Sequence, residues 1–191
     1  MKKIFLLTLV CFNIINLTAQ INYYEDTKTF YEDGYTYQCD VPIWKSLTLY
    51  NIKNKLTYAN VRYKAKGDIF DPISGARLDL FEDDEWTKPL CYSIVNNAFS
   101  DTEKARVKGH ELLTTMYINS ETGKVMEVNF MFTTFSPYAT IPVSVYRKIE
   151  TEIKSKVWFT PTEKGKKLNY IMRFWGQEPE ITTSSQPTEP Q

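Results

Sequence analysis

The run GHELLTTMYINSETGKVMEVNFMFTT (residues 109–134), then IPVSVYRKIETEIKSKVWF (141–159) and KKLNYIMRFW (166–175), reads as strand, turn, strand, helix, strand. Side chains alternate along a strand. In 110–118, Leu112, Thr114, Met116 and Ile118 therefore share one face, and Glu111, Leu113, Thr115 and Tyr117 the other. The polar run from Asn119 to Gly123 separates two apolar segments, and Asn and Gly tolerate positive φ, which predicts a turn. In 124–133, Met126, Val128, Phe130 and Phe132 point one way, Glu127 and Asn129 the other. The last segment puts Leu168, Tyr170, Met172 and Phe174 on one side, with Lys167, Asn169 and Arg173 opposite. One apolar and one polar face predicts an antiparallel sheet covered on one side.

The cover is a helix over 142–157. Pro142 suits a first helical turn, where a missing N–H is no loss. Tyr146, Ile149, Ile153 and Val157 recur at three- and four-residue spacing and form an apolar stripe. Glu150 precedes Lys154 by four, the favourable order for a helical ion pair. Pro161 and Gly165 end the helix and turn the chain into the last strand.

Outward from this stretch, the N-terminal end begins Met1-Lys-Lys followed by an apolar run from Ile4 to Leu17 and then Thr18-Ala-Gln20. The pattern predicts a secretory signal peptide over 1–20, with a retained anchor helix as the alternative. Cys11 follows Val10 rather than the small residue of a lipoprotein cleavage site. The chain is therefore expected to be exported, to the periplasm or outside the cell. Without Lys2 and Lys3 it carries 21 basic and 23 acidic residues. Such a balance creates no field for nucleic acid.

Cys39 and Cys91 remain after the signal, and in an exported chain an isolated pair is a disulfide candidate. The loop of about fifty residues would contribute roughly 3–4 kcal/mol by chain entropy. Two separate buried thiols are the alternative. Residues 27–31 and 35–39, joined through Glu32-Asp33-Gly34, predict a tight hairpin. Its Tyr31, Tyr35 and Tyr37 pair across strands or, in a second reading, stack on a glycan.

Segments 46–50 and 56–63 form a second strand–turn–strand pattern, and 88–99 a short helix. Between them lies an acidic loop, 68–86, with Asp68, Asp71, Asp79, Glu82, Asp83, Asp84 and Glu85. It lacks the D-x-D-x-D-G spacing of a common calcium loop. Residues 99–105 (FSDTEKA) echo 159–165 (FTPTEKG), and each follows a predicted helix. The expected fold is α+β, with antiparallel sheets each covered on one face by a helix. The two units, hairpin–helix–strand in both cases, span 21–108 and 109–175. The tail 176–191 has little to bury and is expected to be disordered.

The second unit resembles the TonB C-terminal domain, on Gly123-Lys-Val125, the helix at 142–157, Phe159-Thr-Pro161, Gly165 and a strand ending at Phe174. The whole chain also resembles a family of secreted Gram-negative proteins with no assigned function. No Pro-rich spacer long enough to cross a periplasm is present, so energy transduction is not implied. The likeness implies an open sheet whose edge accepts a partner strand.

A single histidine, His110, argues against a histidine-based triad or a multi-histidine metal site. No G-x-S-x-G, phosphate-cradling loop or H-E-x-x-H occurs. The carboxylates of Glu82 to Glu85 are the one conceivable hydrolytic set. No cofactor is implied. The expectation is a non-catalytic module that binds a protein of the envelope or the cell exterior through a sheet edge or face, and the rival is a glycan-binding module.

Overall fold

The computed structural model describes residues 21–71, 79–82 and 84–181. Six antiparallel strands form one sheet: β1 (Lys28–Glu32), β2 (Tyr35–Asp40), β3 (Ser46–Asn51), β4 (Leu112–Ile118), β5 (Val125–Thr133) and β6 (Ile171–Gln177). Their spatial order is β1-β2-β3-β5-β4-β6. The helices are α1 (Thr87–Ala98), α2 (Asp101–Val107) and α3 (Val143–Lys156).

The two sheets expected from the sequence are thus one sheet, because β3 pairs with β5, placing Leu49 opposite Phe130 and Leu47 opposite Phe132. Residues directly opposite in an antiparallel pair point to the same face. Tyr37, Cys39, Leu47, Leu49, Val128, Phe130, Phe132, Leu112, Met116 and Ile118 therefore line one inner face, and all are buried. The stripe of α3 closes on it: Tyr146, Ile149 and Ile153 are fully buried, and the Tyr146 ring stacks on Phe132 at 5.4 Å. Pro142 stands one position outside α3, as its N-cap, with φ −66° and ψ 151°.

The predicted turns form as their residues dictate. Asp33 (φ 43°) and Gly34 (φ 76°) join β1 to β2. Asn119 Oδ1 accepts from the amides of Glu121 and Thr122, both at 2.9 Å. At Gly123, φ is 71°, and a Cβ would lie 1.6 Å from the Phe159 carbonyl oxygen. Glycine is required there on both counts. The Gly123 carbonyl in turn accepts the Phe159 amide at 2.9 Å, tying the exit of α3 to the β4–β5 turn.

Other expectations are corrected. Residues 56–63 do not pair with β3. Glu127 accepts the Lys55 and Leu56 amides, and Asn54 donates to the Val128 carbonyl at 2.9 Å, so this segment lies on the outer face of β5. The 99–105 and 159–165 echo is not a structural repeat. The first copy is α2, whose Ser100 and Glu103 form a reciprocal capping box, whereas the second is an extended crossing into a short 3-10 turn, Gly165–Lys167. The strand beginning at His110 starts instead at Leu112, and that beginning at Lys166 starts at Ile171. The phase of β6 is also shifted: Ile171, Arg173 and Trp175 lie opposite Ile118, Met116 and Thr114 on the inner face. Met172 and Phe174 share the outer face, while Leu168 and Tyr170 are buried before the strand begins.

The tail is ordered further than expected. Gly176 and Gln177 belong to β6, Gln177 Nε2 donates to the Tyr92 carbonyl of α1 at 3.1 Å, and Glu178 accepts the Gly109 amide at 2.7 Å. The signal peptide expected over 1–20, part of the acidic loop (72–78 and 83) and 182–191 lie outside the described residues. Cys39 and Cys91 are free and buried, so the predicted disulfide is not formed. Cys39 sits on β2, and burial pushes its thiol up to about 12. Cys91 sits on α1, its thiol pushed by burial to about 11.

Candidate functional site

Helices α1 and α3 pack on the inner face only, against Trp175 and Gln177 in one case and Phe130 and Phe132 in the other. Among the described residues, 52–63 cover the outer face over the half where the Tyr117 hydroxyl donates to the Thr57 carbonyl at 3.1 Å. Beyond it, a polar chain crosses β1, β2 and β3. The Thr29 hydroxyl donates to Gln38 Oε1 at 2.7 Å, and Gln38 Nε2 donates to Asp40 Oδ1 at 2.8 Å. Asp40 Oδ2 accepts the hydroxyls of Tyr50 at 2.8 Å and Tyr58 at 2.7 Å. Partial burial opposes the charge on Asp40, but donation from Tyr58, Gln38 and Tyr50 outweighs it and lowers the pKa. The Tyr50 hydroxyl is pushed up to about 12, by burial first and then by Asp40. A carboxylate held by three donors is stabilised as an anion and makes a poor base at neutral pH.

On the inner side of the same strands sits Glu150 of α3, fully buried. It accepts from the Tyr37 hydroxyl, from Asn51 at 3.4 Å, from Arg147 at 3.1 Å and from Lys154 at 3.3 Å. Burial, reinforced by Glu150, raises the Tyr37 hydroxyl far above its ordinary range. Burial lowers the Arg147 pKa, but the neighbouring Glu150 overrides it and the net direction is upward. Arg147 also lies over the Tyr35 ring at 5.4 Å. The Glu150–Lys154 pair expected from spacing is present, but its carboxylate is in the core rather than on the surface. Spacing carried that signal: Glu150 is four after Tyr146 and three before Ile153, within the stripe.

The three hairpin tyrosines do not form a platform. Tyr31 is 78% exposed on the outer face, Tyr37 is fully buried, and the Tyr35 and Tyr37 rings meet at 84°. Stacking on a flat sugar face needs exposed rings in one plane. Among the acidic-loop residues that are described, Asp84 binds Arg173 at 3.0 Å and Glu85 binds Lys88 at 2.6 Å. Those carboxylates are neutralised by cations. His110 is exposed, and its carbonyl accepts the Tyr138 hydroxyl at 2.8 Å. A groove of about 420 Å³ beside Lys104, Lys108 and Glu178 brings together no nucleophile and base. Among the described residues no group of three or more His, Cys, Asp or Glu is placed to hold a metal, and no helix is long and apolar enough to cross a membrane.

What remains are the edges. β1 and β6 each pair on one side only. β1 has five residues, with exposed Lys28 and Glu32 at its ends. β6 has seven, and its outer-face residues are Met172, Phe174 and Gly176, with Phe174 46% exposed. Natural edge strands are guarded by charge, proline or shortness. The one charged residue of β6, Arg173, is turned inward and engaged by Asp84, and the Glu111 carboxylate lies against Gly176, so Met172 and Phe174 are the part of this edge that no charge of β6 guards.

No curated protein matches the chain. A DUF5043 family protein from Bacteroides uniformis ATCC 8492, solved by crystallography, is 44% identical to it, with a TM-score of 0.79 over 83% of this chain and 95% of that one. The family model for DUF5043, a domain of unknown function, spans residues 20–175, and the chain belongs to that family.

Proposed function

We propose that this protein is an exported, non-catalytic interaction module that takes an extended segment of a protein partner onto the β6 edge. The observation that carries the reading is a seven-residue edge strand, paired on one side, with no charged residue of its own on its outer face. An added strand would gain main-chain hydrogen bonds along the edge, while Met172 and Phe174 supply apolar contact for alternate side chains. The strand–strand–helix–strand order of β4, β5, α3 and β6 supports the layout shared with the TonB C-terminal domain. Against catalysis stands the saturation of Asp40, Asp84 and Glu150 by donors and cations.

A photo-crosslinking side chain in place of Phe174, offered to envelope extract, tests the reading, with one at exposed Thr151 on α3 as control. The expected result is a discrete protein adduct from position 174 and none from 151. No adduct at 174, or the same adducts at both positions, overturns it.

A further inference from the structure

Thr115 of β4 and Asn129 of β5 stand directly opposite each other on the outer face of the sheet, and both are buried, at 1% and 3% exposure. The segment 52–63 straps this part of the face, bonding to Val128 through Asn54, to Glu127 through the Lys55 and Leu56 amides and to Asp40 through Tyr58. The Tyr117 hydroxyl gives its one proton to the Thr57 carbonyl at 3.1 Å. It therefore accepts from Asn129, whose Nδ2 lies at 2.8 Å. That bond orients the Asn129 amide and leaves Oδ1 as its free end. Among the described residues, Asn129 Oδ1, Thr115 Oγ1 and Thr57 Oγ1 are buried and have no hydrogen-bond partner. The first two belong to facing positions, whose Cβ atoms lie about 4.5–5.5 Å apart. The third belongs to the residue that Tyr117 ties to Asn129. Leaving buried polar groups bare is costly, so such a cluster calls for a partner.

We propose that a water molecule is bound between the strap and the sheet at this point, held by Asn129 Oδ1, Thr115 Oγ1 and Thr57 Oγ1. Water supplies what the three lack: a proton for the amide oxygen, which can only accept, and lone pairs for the hydroxyls. About three partners is the usual number for a buried water. The three oxygens are neutral, and the carboxylate of Glu127, opposite Tyr117, is committed to the Lys55 and Leu56 amides. A divalent cation, which draws on carboxylates, is not served by such a set. The strap has a use for the bridge. From Ile52 to Asn60 it buries no side chain, so polar links hold it to β4 and β5, and the water adds one between Thr57 and the sheet. Thr114, the preceding residue of β4, gives the contrast. Its hydroxyl is also buried without a partner, but on the inner face, opposite Phe130 and Trp175, where the surroundings are apolar and stay dry. Thr115 stands opposite Phe174 as well, yet the water site does not depend on what β6 binds.

A crystal structure of the protein at a resolution that shows ordered water is the first test. The expected result is a density peak at about 2.6–3.2 Å from both Asn129 Oδ1 and Thr115 Oγ1. Urea unfolding is the second, and the sign of the shift decides it. Thr115→Val takes one partner from the water and should lower the midpoint. Thr114→Val replaces a bare hydroxyl with a methyl group of similar shape and should raise it. A Thr115 hydroxyl turned directly onto Asn129 Oδ1 with no third atom between them overturns the proposal. So does a peak at the about 2.3–2.6 Å of a bound cation, or a Thr115→Val midpoint that rises as that of Thr114→Val does.

Discussion

Two carboxylates lie on opposite sides of β2 and β3, and each accepts from tyrosine, yet they play different parts. Glu150, on the inner side, is fully buried and draws Arg147 and Lys154 toward it, with Tyr37 and Asn51 as further donors. Asp40, on the outer side, is half-buried and, among the described residues, accepts from Tyr50, Tyr58 and Gln38 with no cation beside them. A buried charge without its partners is costly, because water cannot replace them. A half-exposed one recruits water when a partner leaves. The difference assigns Glu150 to holding α3 on the sheet and Asp40 to shaping an accessible face.

The largest effect separating the two is expected from Glu150→Ala. It leaves the buried Tyr37 hydroxyl and Asn51 without an acceptor, while the partly exposed Arg147 and Lys154 can rehydrate. Urea unfolding should show a loss of about 3 kcal/mol, the low end for breaking a buried pair. A loss no larger than that of an ordinary surface substitution would mean that α3 does not depend on the cluster. Next is Tyr37→Phe, which removes one donor to a charged acceptor and should cost about 1.5–3 kcal/mol in the same measurement.

The smallest is Asp40→Asn, expected to cost less than about 1 kcal/mol after solvent screening. Its pH dependence is more telling. The folded pKa of Asp40 is depressed, so its contribution is present above the unfolded value of about 3.9 and disappears as pH falls through the folded pKa. Unfolding midpoints of wild type and Asp40→Asn should therefore differ near neutrality and converge in acid. If the gap instead widened as pH fell, the donors around Asp40 would not be holding it as an anion.

The elements that could be read in advance were those set by neighbours in the chain. The α3 stripe, the Asp33-Gly34 hairpin and the Asn119–Gly123 turn follow from side-chain period and turn chemistry. The capping box of α2 was equally legible in Ser100 and Glu103, but the resemblance of 99–105 to 159–165 pointed elsewhere. Asp40, Tyr50 and Tyr58 are eight and ten residues apart or more, and no local spacing announces their meeting. The edge status of β6 depends on which strands it finds as neighbours, which local pattern does not encode.

From residue order alone come the helix, the turns and the alternation of β4 and β5, because each is decided within a few residues by φ, ψ and burial period. Tertiary structure decided that β3 joins β5 into one sheet, that β6 starts at Ile171 with Met172 and Phe174 turned outward, that Glu150 is buried and that Cys39 and Cys91 stay apart. Those outcomes rest on contacts between distant segments. A strand's alternation says that it has two faces, but only the neighbours it finds determine which face is covered.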